Sequence, residues 1–434
     1  MTLHYVNGGV MKKNLNNHFD EYFTKPEVTK MLFEKTKQQN IESIFDIFNT
    51  LNKDTSHKLS NDDICTPMEC VKTMLDYIPN DFWQQENIRV LDPCCGNGNF
   101  GAYAMFKMDI KNIYFNETNQ KRLQNCKKIL NPLHISNHDF LGIESSFLGK
   151  FDLIMANPPY SGGGNKNRSL SNKFIESSID KLNDKGYLCF VTPNNYMTYN
   201  NNNTTLKKLL NLGSFMVIDN DVKKYFKNVG SSFSIMVWQK GVMDNKTTII
   251  NNYLLKDIQH NVVIPKDLPF LPLYISQNIL NVIQKLVSKT PNNFTYRCDL
   301  HNFTQKACLS DTQDNIYKYR TIHTPRKTRY ANKKQDIYDK HIIIIPLSTY
   351  FIPYIESRAN TTQSVGYFAF DSKKEASEYV KILNKPHFKV LIHLTRYGNF
   401  NNIMVLKHLA FDKQIELDSK ELHDIEQLHK KIRY

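Results

Sequence analysis

Nothing in this sequence reads as a membrane span. An apolar run such as Ile342 to Ile345 is closed at once by Pro346, far short of the roughly 20 residues a spanning helix needs. The opening residues carry Asn, Lys and His rather than a basic start and an apolar core, so no secretory leader and no membrane partner are expected. Eight cysteines (Cys65, Cys70, Cys94, Cys95, Cys126, Cys189, Cys298, Cys308) include no Cys-x-x-Cys pair and no zinc-ligand spacing. No metal is therefore expected, and the thiols read as reduced core residues of a cytoplasmic, reducing interior. Gly-Lys-Ser/Thr is missing, which disfavours a P-loop. No internal repeat is visible. Acid is also in short supply: 42 Asp and Glu stand against 56 Lys and Arg, a formal net charge of +14. Such an excess points to a polyanionic partner, with plain solubility as the alternative until the charge is located.

What is present is ordinary for a globular chain. With 434 residues, 41% of them hydrophobic and 23% charged, there is room for two separate cores. Residues 1–60 form a polar arm with helical patches at Glu27 to Gln38 and Ile41 to Leu51, and suggest no function beyond an extra layer on the next domain. From Ile64 the pattern alternates. Met68 to Tyr77 reads as a helix behind Thr66-Pro67, with proline at the first turn. Strands are expected at Ile88 to Asp92, Asn112 to Glu117, Leu133 to Ser136, Phe151 to Ala156 and Gly186 to Val191. Helices are expected between them, at Gly101 to Met108, Gln120 to Leu130 and Asn172 to Leu182. Phe215 to Asp219 and Ser231 to Gln239 complete the series. Such alternation implies an α/β fold with a doubly wound, Rossmann-like parallel sheet over residues 61–245. Gly241 to Pro272, punctuated by Pro265, Pro269 and Pro272, reads as a connection. Residues 246–434 read as a mixed α+β second domain ending in a helix from Asp418, with Glu421 completing a capping box.

Two motifs carry chemistry. Val90-Leu-Asp92-Pro-Cys94-Cys-Gly96-Asn-Gly98-Asn-Phe-Gly101 is a strand, a glycine turn and a helix, which lets a ligand approach bare backbone. Alone it is a weak signal, since a strand-to-helix turn needing positive φ explains it equally well. Glu117 ends the next strand, where a ribose-binding carboxylate belongs. Asp139-Phe140 follows the third, where Asp could accept from an adenine amine and Phe could cover its ring. Together they outline an adenosine pocket, which a nicotinamide cofactor would share. The second motif is Asn157-Pro158-Pro159-Tyr160, running straight off the strand Phe151 to Ala156. The prolines stop the strand and fix a rigid loop with free carbonyls. The Asn side chain adds an acceptor and the Tyr a ring, so the loop can grip a planar amine.

These two motifs together resemble the AdoMet-dependent amino-methyltransferases of DNA, and the match covers about Ile64 to Gln239. Thr66-Pro67 stands where the gamma class of that family places its cofactor-closing motif, and the order with a carboxy-terminal target-recognition domain is that of the gamma class. The resemblance implies AdoMet as methyl donor, double-stranded DNA as substrate and adenine N6 as the usual target. It further implies a restriction-modification setting with a separate endonuclease, and a monomer on DNA. It places Thr66, Pro67, Asp92, Cys94, Gly96, Gly98, Glu117, Asp139, Phe140, Asn157 and Phe174 around the donor. It places Asn157, Pro158, Pro159 and Tyr160 at the reacting amine. Phe226 becomes the candidate for the second face of a flipped base, with Phe233 next; a core aromatic is the alternative for Phe226, and core packing for Phe174. The loop itself accepts any exocyclic amine, so cytosine N4, an RNA base and a protein glutamine amide remain alternatives. So does a DNA-binding module whose methyltransferase half is inactive.

The excess charge is partly localised. Lys318, Arg320, His323, Arg326, Lys327, Arg329, Lys333 and Lys334 crowd one stretch with Tyr319 and Tyr330, a pattern that suits phosphate and groove contact. Arg396 lies in a second candidate reading loop. Lys166 and Arg168, in the glycine-rich stretch beside the Asn-Pro-Pro-Tyr loop, are candidates for phosphates of the target strand. A solvated charge run and a plain connector are the respective alternatives. No cluster of two carboxylates and a lysine suggests a fused nuclease.

Overall fold

The computed structural model describes residues 41–53, 64–142, 149–160, 170–198, 204–226, 232–243, 246–288, 290–301, 306–348, 350–398, 400–411 and 415–432. The helix expected at Glu27 to Gln38 lies outside these residues. Two compact units result. One comprises Met1–Tyr196, Lys208–Lys227 and Phe233–Thr248; the other comprises Met197–Lys207, Asn228–Ser232 and Ile249–Tyr434.

The first unit is built on strands β1 (Val90–Asp92), β2 (Ile113–Asn116), β3 (His134–Ser136), β4 (Phe151–Ala156), β5 (Leu182–Pro193), β6 (Gly213–Asp219) and β7 (Phe233–Lys240). Its helices are α1 (Ile41–Leu51), α2 (Met68–Asp76), α3 (Asn80–Trp83), α4 (Asn99–Ala104), α5 (Gln120–Leu130), α6 (Leu170–Lys181) and α7 (Thr204–Leu212), the last beginning in the second unit. Spatial strand order is β3-β2-β1-β4-β5-β7-β6. Strands β1 to β5 pair in parallel, and β7 runs antiparallel to both β5 and β6. The order reverses between β1 and β4, so a crevice opens at the carboxyl ends of these strands, where α/β sheets bind ligands.

Local sequence explains these elements. β4 is buried apart from Asp152, and that carboxylate accepts the Arg89 N–H at 2.8 Å and the Asn183 amide at 2.7 Å. An acid at the second position of a core strand is thereby satisfied. Pro67 (φ −58°) starts α2, where a missing N–H costs nothing. The Asn119 side chain caps α5 at Lys121 and Arg122, and Asn131 ends it in the left-handed region at φ 44°. Inside α4, Gly101 lets the helix lie on β2, because a Cβ there would come within 2.2 Å of the Phe115 ring.

Strand β8 (Thr247–Tyr253), which begins in the first unit and continues into the second, and β9 (Leu255–Val262) are neighbours joined through Leu254 at φ 63°. This corrects the expectation of a loose connection across 241–272. The half-buried positions of β9 include Asp257 and Gln259, so no apolar alternation announces the strand. Asp257 is satisfied instead by Asn251 at 2.9 Å and the Tyr274 hydroxyl at 2.6 Å. Further strands are β10 (Thr295–Tyr296), β11 (Leu309–Ser310), β12 (Tyr319–Thr324), β13 (Lys327–Ala331), β14 (His341–Pro346), β15 (Tyr354–Ser357), β16 (Asn360–Thr361) and β17 (Val365–Phe370). They form two sheets, ordered β10-β17-β14-β15 and β11-β13-β12-β16. The isoleucine run of β14 lies at the centre of the first, with Ile342 and Ile344 packed among Ile322, Val365 and Tyr367. The unit's helices are α8 (Gln277–Leu286), α9 (Lys373–Leu383), α10 (Pro386–Leu394) and α11 (Ser419–Lys431). The Asp418–Glu421 capping box of α11 forms with both of its hydrogen bonds.

Candidate active site

The carboxyl ends of β1, β2 and β4 open on a cavity of about 380 Å³, within the range of small-ligand pockets. Of the residues expected around a donor, Thr66, Cys94, Gly96, Glu117, Asp139, Phe140, Asn157 and Phe174 line it, and Pro158, Pro159 and Tyr160 join them. Gly96 sits at φ +56° with nothing within 4 Å of the place a Cβ would occupy, so a ligand can meet its backbone. The Glu117 carboxylate accepts the Gly96 N–H at 2.8 Å and the Asn119 N–H at 2.7 Å, which ties the glycine turn to the end of β2. Phe140 and Phe174 stack on each other, 5.3 Å between centroids and 27° apart, and form an apolar wall.

Three expected residues are not on the wall. Pro67 starts α2, and its carbonyl accepts from Cys70 and Val71. Gly98 (φ +98°) serves packing: a Cβ there would meet Leu130 Cδ1 at 2.7 Å and Cys126 Sγ at 3.0 Å. Asp92 lies just behind the cavity, fully buried at the end of β1. Its Oδ1 accepts the Cys94 N–H at 3.3 Å, while Oδ2 is buried without a hydrogen-bond partner among the described residues. Burial pushes this carboxyl well above the ordinary range; the Cys94 N–H pulls it down and the nearby Glu117 pushes it further up.

At the end of β4 the Asn157 amide is held at both ends. Its Nδ2 donates to the Ile64 carbonyl at 2.9 Å, and its Oδ1 accepts the Tyr160 hydroxyl at 2.5 Å. The Cys94 thiol approaches the Asn157 carbonyl at 3.5 Å. The structure sets Phe233, not Phe226, against Tyr160: the rings are 4.9 Å apart, edge to face. Phe226 is buried behind, stacked on Phe233 at 6.1 Å. The segment leading to Phe226 is fastened to α2 and the residue after it, with Thr73 bonded to Tyr225 at 2.7 Å and Tyr77 to Asp219 at 2.7 Å.

Several residues around the cavity were not foreseen. Asn116 donates to the carbonyls of Pro93 and His138 and accepts from Ser136, binding three strand ends together. Its place just before Glu117 was the available signal. Arg122 and Asn99 also line the cavity, and both are buried. Nothing in the sequence distinguishes Arg122 from a surface residue of a helix, whereas Asn99 stands inside the glycine motif.

In the second unit, Arg320 is bidentate to Glu356 at 2.7 and 3.0 Å, and Lys327 and Arg329 share Asp311 at 3.3 and 2.7 Å. Lys318 and Arg326 are exposed, and Arg396 is half-buried. Lys166 and Arg168 lie outside the described residues. Among the described residues no group of His, Cys, Asp and Glu is arranged to hold a metal ion. No helix there is long and apolar enough to cross a membrane.

Strand order 3-2-1-4-5-7-6 with β7 antiparallel, and a ligand cavity at the β1/β4 switch point, define the Rossmann-like fold of class I AdoMet-dependent methyltransferases. Comparison with known proteins agrees. Residues 71–224 match the family model described as the methyltransferase small domain. The type II methyltransferase M.VspI of Vibrio sp. (strain 343) is 27% identical over 179 residues, covering 36% of this chain and 43% of that protein. The modification methylase CviBIII of Paramecium bursaria Chlorella virus NC1A is 26% identical over 225 residues, covering 48% and 57%. The chain thus spans about half the length of these curated relatives. Among solved structures, the cryoEM structure of a DrdV–DNA complex superposes with a TM-score of 0.52 at 9% identity, covering 98% of this chain and 62% of that one. The resemblance to AdoMet-dependent DNA methyltransferases of restriction-modification systems is sustained by the family model and these relatives.

Proposed function

We propose that this protein transfers a methyl group from AdoMet to the exocyclic N6 amine of an adenine turned out of duplex DNA, as the modification activity of a restriction-modification system. One observation carries the reading most: the Asn157 amide stands at the mouth of the donor cavity with its nitrogen already committed to Ile64. The oxygen, which accepts the Tyr160 hydroxyl in this structure, is then the end of the amide that a proton-bearing ligand would take over. The names of the relatives, a type II methyltransferase and a modification methylase, support DNA as substrate.

The residues present suit the donor. AdoMet is a cation, and Asp92 offers a buried carboxyl oxygen without a partner among the described residues, beside a cavity that Glu117 also lines. Thr66, Cys94, Gly96, Glu117, Asp139, Phe140 and Phe174 would hold it, with the two phenyl rings against its adenine. When bound, it supplies an electrophilic methyl group. The chain's own part is positioning. Asn157 Oδ1 and the Pro158 carbonyl accept both protons of the target amine, which pulls its nitrogen toward tetrahedral geometry and localises a lone pair otherwise spread into the ring. No general base is needed, because the proton becomes acidic once the methyl bond forms.

Extruding the base costs a few kcal/mol. Stacking on aromatic side chains returns about 1–3 kcal/mol per base. Tyr160 supplies one face and Phe226, or Phe233 next to it, the other; the 4.9 Å edge contact between Phe233 and Tyr160 has to open to admit a base. For the amine to bind, the Tyr160 hydroxyl has to yield Asn157 Oδ1. In this reading residues 61–245 carry the chemistry, and residues 246–434 read the DNA through Lys318, Arg326 and Arg396. The endonuclease is a separate chain, and the enzyme works as a monomer on DNA. Adenine over cytosine rests on the family resemblance. Purified protein with tritiated AdoMet is expected to label duplex DNA, the label recovered as N6-methyladenine. Label found only in RNA or in protein overturns the reading.

A further inference from the structure

The structure assigns Asn49 and Asn52, in and just after α1, a positioning role: they hold the strap of residues 64–67 so that its Ile64 carbonyl fixes the Asn157 amide. This rests on the proposed reading of Asn157. An asparagine amide has two nearly isosteric ends. If it turned over, an NH2 group would face the target amine, donor against donor, and the acceptor would be lost. The Ile64 carbonyl, receiving Nδ2 at 2.9 Å, prevents this. Ile64 is 93 residues upstream of Asn157, and its position depends on what holds the strap.

Three asparagines hold it. Asn99 Nδ2 donates to the Thr66 carbonyl at 2.8 Å, and Asn52 Nδ2 donates to the same oxygen at 3.1 Å. Asn52 Oδ1 accepts from Asn99 Nδ2 at 3.2 Å, closing a small ring of amides around one carbonyl. One turn back, Asn49 Oδ1 receives the Met68 N–H at 3.1 Å, and its Nδ2 reaches the Glu69 carboxylate at 3.1 and 3.3 Å. The spacing of three places both side chains on one face of the helix end. Ile44, Ile47 and Phe48 bury α1, so the two asparagines are presented from a packed support. Thr66 and Asn99 are themselves buried, which makes every acceptor in the ring expensive to abandon.

The consequence is specific. Neither Asn49 nor Asn52 lines the cavity, yet their loss should reach Asn157 through Thr66 and Ile64. The test uses the full chain with Asn49→Ala, Asn52→Ala and the isosteric Asn52→Asp, which keeps an acceptor but cannot donate to Thr66. Hydrogen exchange is followed at peptides covering 64–68 and 155–160, and single-turnover methylation of duplex DNA is measured at saturating AdoMet and DNA. The expected result is faster exchange in both peptides, unchanged exchange in β5, and a rate roughly tenfold to a hundredfold lower, with Asn52→Asp as slow as Asn52→Ala. Unchanged exchange in the two peptides overturns the proposal, whatever the wild-type activity. So does wild-type turnover in all three variants. Recovery of full rate in Asn52→Asp also overturns it, because bulk rather than donation would then matter. Wild-type protein that methylates no DNA removes the underlying reading of Asn157, an outcome distinct from any of these.

Discussion

At the scale of single residues, Asp92 and Asn157 show two ways of storing readiness in a side chain. Asn157 is oriented by a hydrogen bond at each end of its amide. Asp92 is left partly unsatisfied: one oxygen is buried with no partner among the described residues, and its carboxyl is pushed well above its ordinary value of 3.8. The folded chain therefore favours the neutral acid. Its contribution to stability is present below the unfolded value and is lost as pH rises through the raised folded value. Two results are expected. Asp92→Asn should raise the melting temperature of the ligand-free protein at neutral pH, and a lower one contradicts the account. In the wild type, affinity for the cationic donor should rise with pH while Asp92 titrates, by at most roughly tenfold per pH unit, and Asp92→Asn should abolish that dependence. A thermal scan measures the first, and calorimetric titration across pH the second.

Among elements, contact is what separates the legible from the illegible. The strand Phe151–Ala156 and the helices Ile41–Leu51 and Gln120–Leu130 could be read to the residue, because burial or a side-chain cap writes them into local sequence. The strand Leu255–Val262 could not, because its half-buried face carries Asp257, satisfied by Asn251 and Tyr274, and Gln259, which donates to Asp257. Of the glycine motif only Gly96 borders the cavity; Gly98 lies against Cys126 and Leu130 of α5, and Gly101 against Phe115 of β2. Gly101→Ala should accordingly destabilise the protein by about 1–3 kcal/mol, since the buried Phe115 ring has nowhere to go. A urea midpoint like that of the wild type would contradict this. The Asn157–Ile64 bond was invisible, because a backbone carbonyl has no sequence signature. The basic strands β12 and β13 give a further prediction. Exposed ion pairs such as Lys327–Asp311 are worth little and can be exchanged for phosphate. Neutralising the exposed Lys318 and Arg326 should therefore lower the slope of log affinity for DNA against log salt, by roughly one per contact. An unchanged slope returns both to solvated surface.

The whole molecule comprises a unit with a Rossmann-like sheet and a unit with two small antiparallel-rich sheets, in a chain with a net charge of +14. The proposed DNA methylation gives a use to all three features at once: a polyanion for the charge, a methyl donor for the cavity and a planar amine for the Asn157 loop. Its central claim is that Asn157 accepts from the amine that receives the methyl group. The most direct measurement compares wild type and Asn157→Ala with tritiated AdoMet and duplex DNA, followed by nucleoside chromatography of the product. The expected result is labelled N6-methyl-2′-deoxyadenosine from the wild type. From the variant, at least roughly a hundredfold less is expected at unaltered AdoMet affinity. Near-equal labelling of DNA by the two proteins would contradict the account.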